Sequence, residues 1–244
     1  MKLRVMSFNI FCGILTDERI MRVVKNIKAE SPHIVGMQEG MDSSRKMLEA
    51  ALGDEYAILG DGRNDDRRGE NCNVMYKKSA FDLMETKTVW LTDTPDEYSV
   101  YEGSCCPRIL TYQLLRHKDS GRVILHVNTH LDHVLPEVRT RQAQTLVKYV
   151  AENIGDHPTF ITGDFNCEMT EDAFSVITAA GYEATTGYGE YIPTYQGFDN
   201  GPTMNIDYTF VGGDFTVLSY KVCDELYDGE HPSDHNAIVS EIEL

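Results

Sequence analysis

The start of the chain alternates apolar runs with an amphipathic segment. Residues 2–9 carry apolar side chains at both odd and even positions, a pattern typical of a strand buried on both faces. Thr16 can cap a following helix in which apolar residues recur at i, i+3, i+4 and i+7. Residues 33–37 then return as a strand. This βαβ-like opening predicts that Asn9 and Glu39, which follow the two strands, lie at the same sheet edge.

The rest of the chain is dominated by strand-like runs with few helices between them. A second helix is predicted to start at Asp42, a third covers 136–153 with proline in its first turn, and a fourth covers 172–180. Strands are predicted at 73–76, 81–91, 108–116, 122–130, 159–162, 206–211, 215–222 and 237–242. This succession favours two packed sheets covered by helices over a doubly wound parallel sheet.

Length and composition predict one ordinary globular domain. The chain has 244 residues and contains no linker, repeat or low-complexity segment, so a single domain over residues 1–244 is expected. The first residues read as a strand and not as a signal peptide, and no apolar stretch is long enough to span a membrane. A cytoplasmic protein is therefore expected. The six cysteines include no Cys-x-x-Cys pair and are interpreted as reduced thiols.

The net charge restricts the partners that the protein can bind. Its formal value is −17 at pH 7, whereas proteins that bind long nucleic acids usually present a basic surface. Long nucleic acid is therefore disfavoured as a partner. A small anionic substrate remains compatible with this charge, because a bound cation and a few basic side chains can reverse the field within one cleft.

A short polar motif follows the buried strand at 160–162. Gly163 permits a turn, after which Asp164 and Asn166 project two residues apart on one face. A carboxylate and an amide in this arrangement could accept a proton from water and orient that water. The same residues could equally form a plain Asx turn, and the motif alone does not separate the two interpretations.

Two histidines near strand ends each need an acidic partner to stay oriented. For His235, which precedes the last strand, Asp207 is the natural candidate. For His130, which closes the strand at 122–130, Glu70 is available after a polar loop. The alternative for His235 is a surface histidine in a solvated loop. His126 lies within a strand and is interpreted as a hydrogen-bonded core residue.

Hard oxygen ligands also occur at strand ends. Glu39 follows one apolar strand and Asn9 follows another, and carboxylate and amide oxygens suit Mg²⁺ or Mn²⁺. The dispersed cysteines and histidines match no zinc-binding spacing. Arg108 opens a strand after a proline, where it could contact a substrate phosphate or form a salt bridge at the strand end.

Taken in order along the chain, these motifs resemble the endonuclease/exonuclease/phosphatase superfamily, including a group of its bacterial members. The resemblance spans the chain from Asn9 to His235. It implies an α+β fold, namely a four-layer α/β sandwich of two packed, mainly antiparallel sheets flanked by helices. Each motif alone is weak evidence for this resemblance, but the ordered set is strong evidence.

The resemblance also implies roles for individual residues. Glu39 would be the principal Mg²⁺ ligand, with Asn9 and Asp234 near it. Asp164 would activate water and Asn166 would orient it. The remaining roles concern phosphate and the leaving group: His235, held by Asp207, would steady phosphoryl oxygens, and His130, paired with Glu70, would contact phosphate or assist the leaving group.

These observations predict a Mg²⁺-dependent hydrolase of phosphate esters or phosphodiesters that uses direct attack by water, with a small phosphorylated substrate favoured. One alternative is a nuclease for short or single-stranded DNA or RNA. Another is a non-catalytic member of the fold that binds a ligand or a partner protein. Specificity is expected in the loops at 61–71, 92–107 and 187–201, which the sequence does not decode.

Overall fold

A computed structural model of the protein describes residues 1–189, 192–200 and 203–243. Residues 190, 191 and 201 of the third predicted specificity loop lie outside this description, as does residue 244 at the end of the predicted single domain. The helices are α1 (Asp17–Glu30), α2 (Asp42–Leu52), α3 (Pro136–Asn153) and α4 (Asp172–Ala179). The strands are β1 (Lys2–Asn9), β2 (Ile34–Gly40), β3 (Tyr56–Leu59), β4 (Asn71–Lys77), β5 (Phe81–Trp90), β6 (Ile109–His117), β7 (Val123–His130), β8 (Thr159–Asp164), β9 (Glu183–Ala184), β10 (Asp207–Gly212), β11 (Thr216–Cys223) and β12 (Ala237–Glu243).

The strands form two mixed, six-stranded sheets. The first has the order β11-β12-β1-β2-β4-β3 and the second has the order β5-β6-β7-β8-β10-β9. Each sheet contains one parallel pair, β1 with β2 and β7 with β8, and its other described neighbours are antiparallel. The predicted α+β sandwich of two mainly antiparallel sheets is therefore confirmed.

The helices cover the outer faces of the two sheets and complete four layers. Apolar side chains of α1 and α2 pack with one face of the first sheet, and those of α3 and α4 pack with one face of the second. A third cluster, which includes Val5, Ile34 and Phe160, lies between the sheets. The sheets approach closely at Gly36, where an added Cβ would lie 2.0 Å from Thr162 Oγ1. None of the helices in the described ranges is long and apolar enough to cross a bilayer.

Local sequence signals located most elements correctly. The hydroxyl of Thr16 accepts a hydrogen bond from the Arg19 backbone N–H at 3.3 Å and caps α1, as predicted. The second and third helices begin at the predicted Asp42 and Pro136. Strands β3 and β9 were not predicted. They contain only four and two residues and lie at sheet edges, so they are too short to show an alternating pattern.

A polar layer also lies between the sheets, close to the end where β1 and β8 terminate. The Gln38 amide nitrogen donates to Asn128 Oδ1 at 2.6 Å and thereby joins the two sheets. The ring of His126 contacts Gln113 and Thr162 at 3.0 and 2.8 Å, which confirms its interpretation as a core histidine. Burial lowers the pKa of His126 to about 3.

Candidate active site

The predicted site residues gather where the carboxyl ends of the two parallel strand pairs meet. Asn9 ends β1, and Glu39 lies near the end of the adjacent β2. His130 and Asp164 end β7 and β8, where they are register partners. Asp207 begins the antiparallel β10 directly opposite Asp164. The topology therefore delivers residues far apart in sequence to one edge of the sandwich.

These strand ends surround an open cleft of about 480 Å³. The predicted site residues that line it are Glu39, Glu70, Arg108, His130, Asp164, Asn166, Asp234 and His235. Asn9 and Asp207 lie directly behind this surface, in contact with lining residues. The structure thus brings all the predicted residues together, while their chemical roles stay predictions.

Glu39 lies in a constrained segment at the acidic end of the cleft. Its backbone has a left-handed φ of 60°, and the pairing of β2 with β4 is irregular between Met37 and Gly40. Its carboxylate accepts hydrogen bonds from Asn9 Nδ2 at 3.0 Å and from the Cys12 N–H at 2.8 Å. Burial acts to raise the pKa of Glu39, but the electrostatic influence of His130 and these hydrogen bonds lower it to about 2.

The amide of Asn9 bridges two carboxylates. Its nitrogen donates to Glu39 Oε1 at 3.0 Å and to Asp164 Oδ2 at 2.9 Å, and its oxygen accepts from the Phe11 N–H at 3.0 Å. The contact between the ends of β1 and β2 is the one expected from the βαβ-like opening. The nitrogen, not the oxygen, faces the carboxylates, so the structure supports a positioning contact and leaves the predicted metal-ligand role of Asn9 untested.

Asp164 forms the Asx turn that its motif also predicted, and its second carboxylate oxygen faces the other predicted site residues, while its predicted role in activating water stays a prediction. One carboxylate oxygen, Oδ1, accepts from the Asn166 N–H at 2.9 Å and forms the Asx turn. The other, Oδ2, lies 3.4 Å from His130 Nε2 and 3.7 Å from His235 Nε2, in addition to its hydrogen bond from Asn9. Asn166 adopts a φ of 50°, and its side-chain nitrogen donates to the Leu131 carbonyl at 3.0 Å. A single carboxylate oxygen is therefore surrounded by nitrogen atoms from three different strand ends or loops.

His235 is buried and held by Asp207. Its Nδ1 lies 2.8 Å from Asp207 Oδ2, while the Asp207 backbone N–H donates to the hydroxyl of Thr194. Burial acts to lower the pKa of His235, but the carboxylates of Asp207, Asp164 and Asp234 raise it to about 10. An imidazolium is thus favoured here, and the alternative of an exposed loop histidine does not apply, since His235 is 5% exposed.

The opposite end of the cleft is rich in basic side chains. Glu70 Oε1 lies 3.4 Å from His130 Nδ1, the predicted partner, and also 2.7 Å from Arg63 Nη1 and 3.7 Å from Arg108 Nη1. Burial acts to raise the pKa of Glu70, but His130 and the two guanidinium groups lower it overall. Of the two interpretations of Arg108, the structure shows an ion pair at the strand end, and the guanidinium also lines the cleft.

Asp234 provides a second carboxylate near Glu39. Burial raises its pKa, and the negative charge of Glu39 raises it further, while His235 acts in the opposite direction. Its backbone carbonyl accepts from the N–H groups of Gln196 and Gly197 at 3.0 and 3.1 Å, which anchors the segment before β12. Two repelling carboxylates in a half-buried position are a suitable environment for a cation.

Sequence patterns missed some residues of the site. Arg63 lies in a loop of mixed charge that carried no site signal. Tyr195, in the third predicted specificity loop, lines the cleft and packs its ring edge-on at 5.0 Å from His235. Gln38 and Thr129 directly precede Glu39 and His130 at the polar strand ends, but they do not face the cleft. Their side chains instead bind Asn128 and the Ile109 carbonyl, because alternation along a strand directs neighbouring side chains to opposite faces.

The chain is similar to known proteins of one family. Residues 6–235 match the Endonuclease/Exonuclease/phosphatase family. A member of that family from Bacteroides vulgatus is 30% identical, with a TM-score of 0.92 over 100% of this chain and 99% of the other. A mannosyl-6-phosphatase from Bacteroides thetaiotaomicron is 26% identical, with a TM-score of 0.87 over 99% of this chain and 100% of the other.

A curated relative is more distant. Nocturnin of Drosophila melanogaster is 25% identical over 178 residues, which are 66% of this chain. The matched segment spans about a quarter of the length of that protein, 26%.

Proposed function

Because the chain belongs to the endonuclease/exonuclease/phosphatase family, we propose that it is a Mg²⁺-dependent phosphoesterase that hydrolyses a small phosphorylated substrate by direct attack of water. The observation that carries this proposal is the convergence on Asp164. Its Oδ2 lies within 3.7 Å of side-chain nitrogens of Asn9, His130 and His235, in a cleft that is acidic at one end and basic at the other.

The acidic end has the donor chemistry for a hard divalent cation. Glu39 and Asp234 offer carboxylate oxygens, and burial, together with the negative charge of Glu39, raises the pKa of Asp234. Oxygen donors of this kind suit Mg²⁺ or Mn²⁺ and not softer metals. A cation bound there would act as a Lewis acid on the phosphoryl oxygens.

The residues around Asp164 are arranged for activation of water. The carboxylate is 2% exposed and oriented by Asn9 and by the Asn166 N–H, so it needs little reorganisation to accept a proton. Asn166 lines the cleft beside it and would orient the attacking water. His235, kept cationic by Asp207, would stabilise the negative charge that develops on the phosphoryl oxygens.

The basic end would receive the leaving group and the remaining phosphoryl oxygens. His130 lies between Glu70 and Asp164 and can donate a hydrogen bond from Nε2 toward the cleft. Arg108 lines the same region. This arrangement would separate a cation from the basic side chains and leave space for a phosphate between them.

A small substrate is supported by two observations of different kinds. The formal charge of −17 disfavours a long polyanion, and one of the structurally similar proteins is a mannosyl-6-phosphatase. The nuclease alternative has no comparable support from the cleft. The non-catalytic alternative is opposed by the complete set of predicted residues lining or supporting the cleft.

A phosphoester screen tests this function. Wild type, Asp164→Ala and His235→Ala would be assayed on p-nitrophenyl phosphate, bis-p-nitrophenyl phosphate, a panel of sugar phosphates and nucleotides, and a single-stranded oligonucleotide. The assays would contain Mg²⁺, Mn²⁺ or EDTA. We expect metal-dependent hydrolysis of small esters by wild type alone. Equal activity of wild type and both variants on every compound would refute the proposal, and preferential cleavage of the oligonucleotide would favour a nuclease.

A further inference from the structure

Two arginines flank the single carboxylate of Glu70 at the basic end of the cleft. Arg63 Nη1 lies 2.7 Å from Glu70 Oε1, a normal salt-bridge distance, whereas Arg108 Nη1 lies 3.7 Å from the same oxygen. The two guanidinium groups together carry one more charge than Glu70 neutralises. Arg63 is thus the closer partner of Glu70, and Glu70 neutralises the positive charge of Arg108 only weakly.

Arg108 is buried without a full set of hydrogen-bond acceptors. Its side chain is 4% exposed, and neither Nε nor Nη1 has a hydrogen-bond partner among the described residues. The remaining nitrogen, Nη2, lies 3.2 Å from His133 Nδ1. A buried guanidinium with unused donors is unfavourable on its own, and this cost is relieved when an anion binds to it.

The position of Arg108 limits the substituents that a phosphate bound beside it can have. The gap behind it, bounded by Cys72, Pro107 and Ile109, has no room for a water molecule. Its open side faces the cleft that also contains Asp164 and His130. A phosphate bound in the cleft therefore lies beside the guanidinium, whose Nε and Nη1 are themselves buried, and an ester substituent cannot continue past it.

The chemistry of phosphate esters makes this arrangement selective. A monoester presents three terminal oxygens and carries a charge of about −1.5 to −2 at pH 7, whereas a diester has two such oxygens and a single charge. The third oxygen of a monoester offers an additional charged acceptor to the incompletely paired guanidinium of Arg108. A diester would direct either an esterified oxygen or its substituent toward the closed end.

On the basis of the phosphoesterase function proposed above, we infer that Arg108, assisted by Arg63, selects phosphomonoester dianions over phosphodiesters. The substrate class is then a small alcohol or sugar bearing one terminal phosphate. Hydrolysis breaks its P–O bond to the alcohol, and the products are the alcohol and inorganic phosphate. Arg108 binds the oxygens that belong to the phosphate in both substrate and product.

The test compares Arg108→Met, Arg108→Lys and Arg63→Met with a matched control, Arg116→Met. Strand β6 begins directly after Arg108, and Arg116 lies near its other end, where it is exposed and away from the cleft. Binding of inorganic phosphate and of dimethyl phosphate would be measured by calorimetry in the presence of Mg²⁺. Values of kcat/KM would be measured for p-nitrophenyl phosphate and bis-p-nitrophenyl phosphate. Thermal unfolding would establish that each variant is folded.

We expect wild type to bind inorganic phosphate more tightly than dimethyl phosphate. Arg108→Met should weaken phosphate binding and lower kcat/KM for the monoester by roughly 10- to 100-fold, the effect of losing charged hydrogen bonds. Activity on the diester should change by less than about threefold, and Arg108→Lys, which keeps the charge but not the planar donor group, should lie between. Arg63→Met should show a smaller loss, and Arg116→Met should behave as wild type.

Equal losses on the monoester and the diester in a folded Arg108→Met variant would overturn the inference, as would tighter binding of dimethyl phosphate by wild type. These outcomes differ from failure of the proposed function, in which wild type would hydrolyse no ester faster than Asp164→Ala. The calorimetric measurement needs no turnover and therefore separates the two cases.

Discussion

Asp164 and Asp207 face each other as register partners at the ends of β8 and β10, and the ring of His235 contacts both. The imidazole Nδ1 lies 2.8 Å from Asp207 and Nε2 lies 3.7 Å from Asp164. Burial raises the pKa of Asp207, and the charge of Asp164 raises it further, whereas His235 opposes both effects. One imidazolium therefore lies between two buried carboxylates and offsets their mutual repulsion.

Asp207→Asn should remove the negative charge that stabilises the His235 imidazolium while keeping nearly the same side-chain volume. The amide can still accept a hydrogen bond from His235, but it no longer stabilises the imidazolium. We expect kcat/KM to fall by about 100-fold or more, with the protein still folded. The measurement is steady-state kinetics on the best ester from the screen. Asp214→Asn, in the exposed bend that follows the same strand, is the matched control and should retain wild-type activity. Full activity of Asp207→Asn would contradict the pairing.

Glu39→Gln should weaken cation binding. The substitution keeps the shape and one acceptor oxygen but removes the charge of a carboxylate whose pKa is lowered to about 2. We expect the affinity for Mn²⁺, measured by calorimetry or electron paramagnetic resonance, to fall by at least about tenfold. Glu137→Gln, an exposed residue of the first turn of α3, is the control. An unchanged Mn²⁺ affinity would exclude Glu39 as a principal ligand.

Arg19 should be required for stability and for the placement of two site loops. Its guanidinium is 2% exposed and donates to the carbonyls of Ile10, Phe11, Ile14 and Pro232. It therefore ties the loop after β1 to the segment that carries Asp234 and His235. Arg19→Met leaves these carbonyls without a donor, and we expect a loss of about 3–5 kcal/mol in the free energy of unfolding, measured with urea.

Two further variants test whether the loss of stability in Arg19→Met comes from the guanidinium. Arg19→Lys should recover only part of the stability, because an ammonium cannot reach the carbonyls with the planar geometry of a guanidinium. Lys28→Met, on the same helix but exposed, should unfold as wild type. If Arg19→Met were as stable as Lys28→Met, the carbonyl contacts would contribute nothing to the fold.

His126 should make the stability depend on pH. Its pKa is lowered from 6.5 in an ordinary environment to about 3 by burial, so the unfolded chain binds a proton at pH values where the folded protein does not. The contribution of neutral His126 to the free energy of unfolding is therefore complete above pH 6.5 and is lost as the pH falls toward 3. Between pH 7 and pH 5 this site should lower the free energy of unfolding by up to about 2 kcal/mol.

His126→Gln isolates that contribution. The variant should be less stable than wild type at pH 7, since it changes the contacts with Gln113 and Thr162. It should, however, lose less stability than wild type between pH 7 and pH 5 in urea titrations. Parallel pH profiles for the two proteins would show that His126 does not titrate on unfolding.

The local elements and their order along the chain could be predicted from the sequence. Caps, prolines and apolar periodicity act over a few residues, so Thr16, Asp42 and Pro136 identified helix starts directly. The βαβ-like opening also predicted that Asn9 and Glu39 would meet, because a parallel pair aligns the ends of its strands. Short edge strands such as β3 were missed because their pairing, and not their own pattern, defines them.

The sequence by itself determined which polar residues end or follow strands, and from their order, the family to which the chain belongs. Only the tertiary structure decided which of them face the cleft. Glu39 and Gln38 are adjacent, yet one lines the cleft and the other joins the sheets, because the strand alternates and is irregular there. Arg63 and Arg108 meet at Glu70 only because the two sheets pack together, and contacts between sheets leave no periodic signal in a single chain.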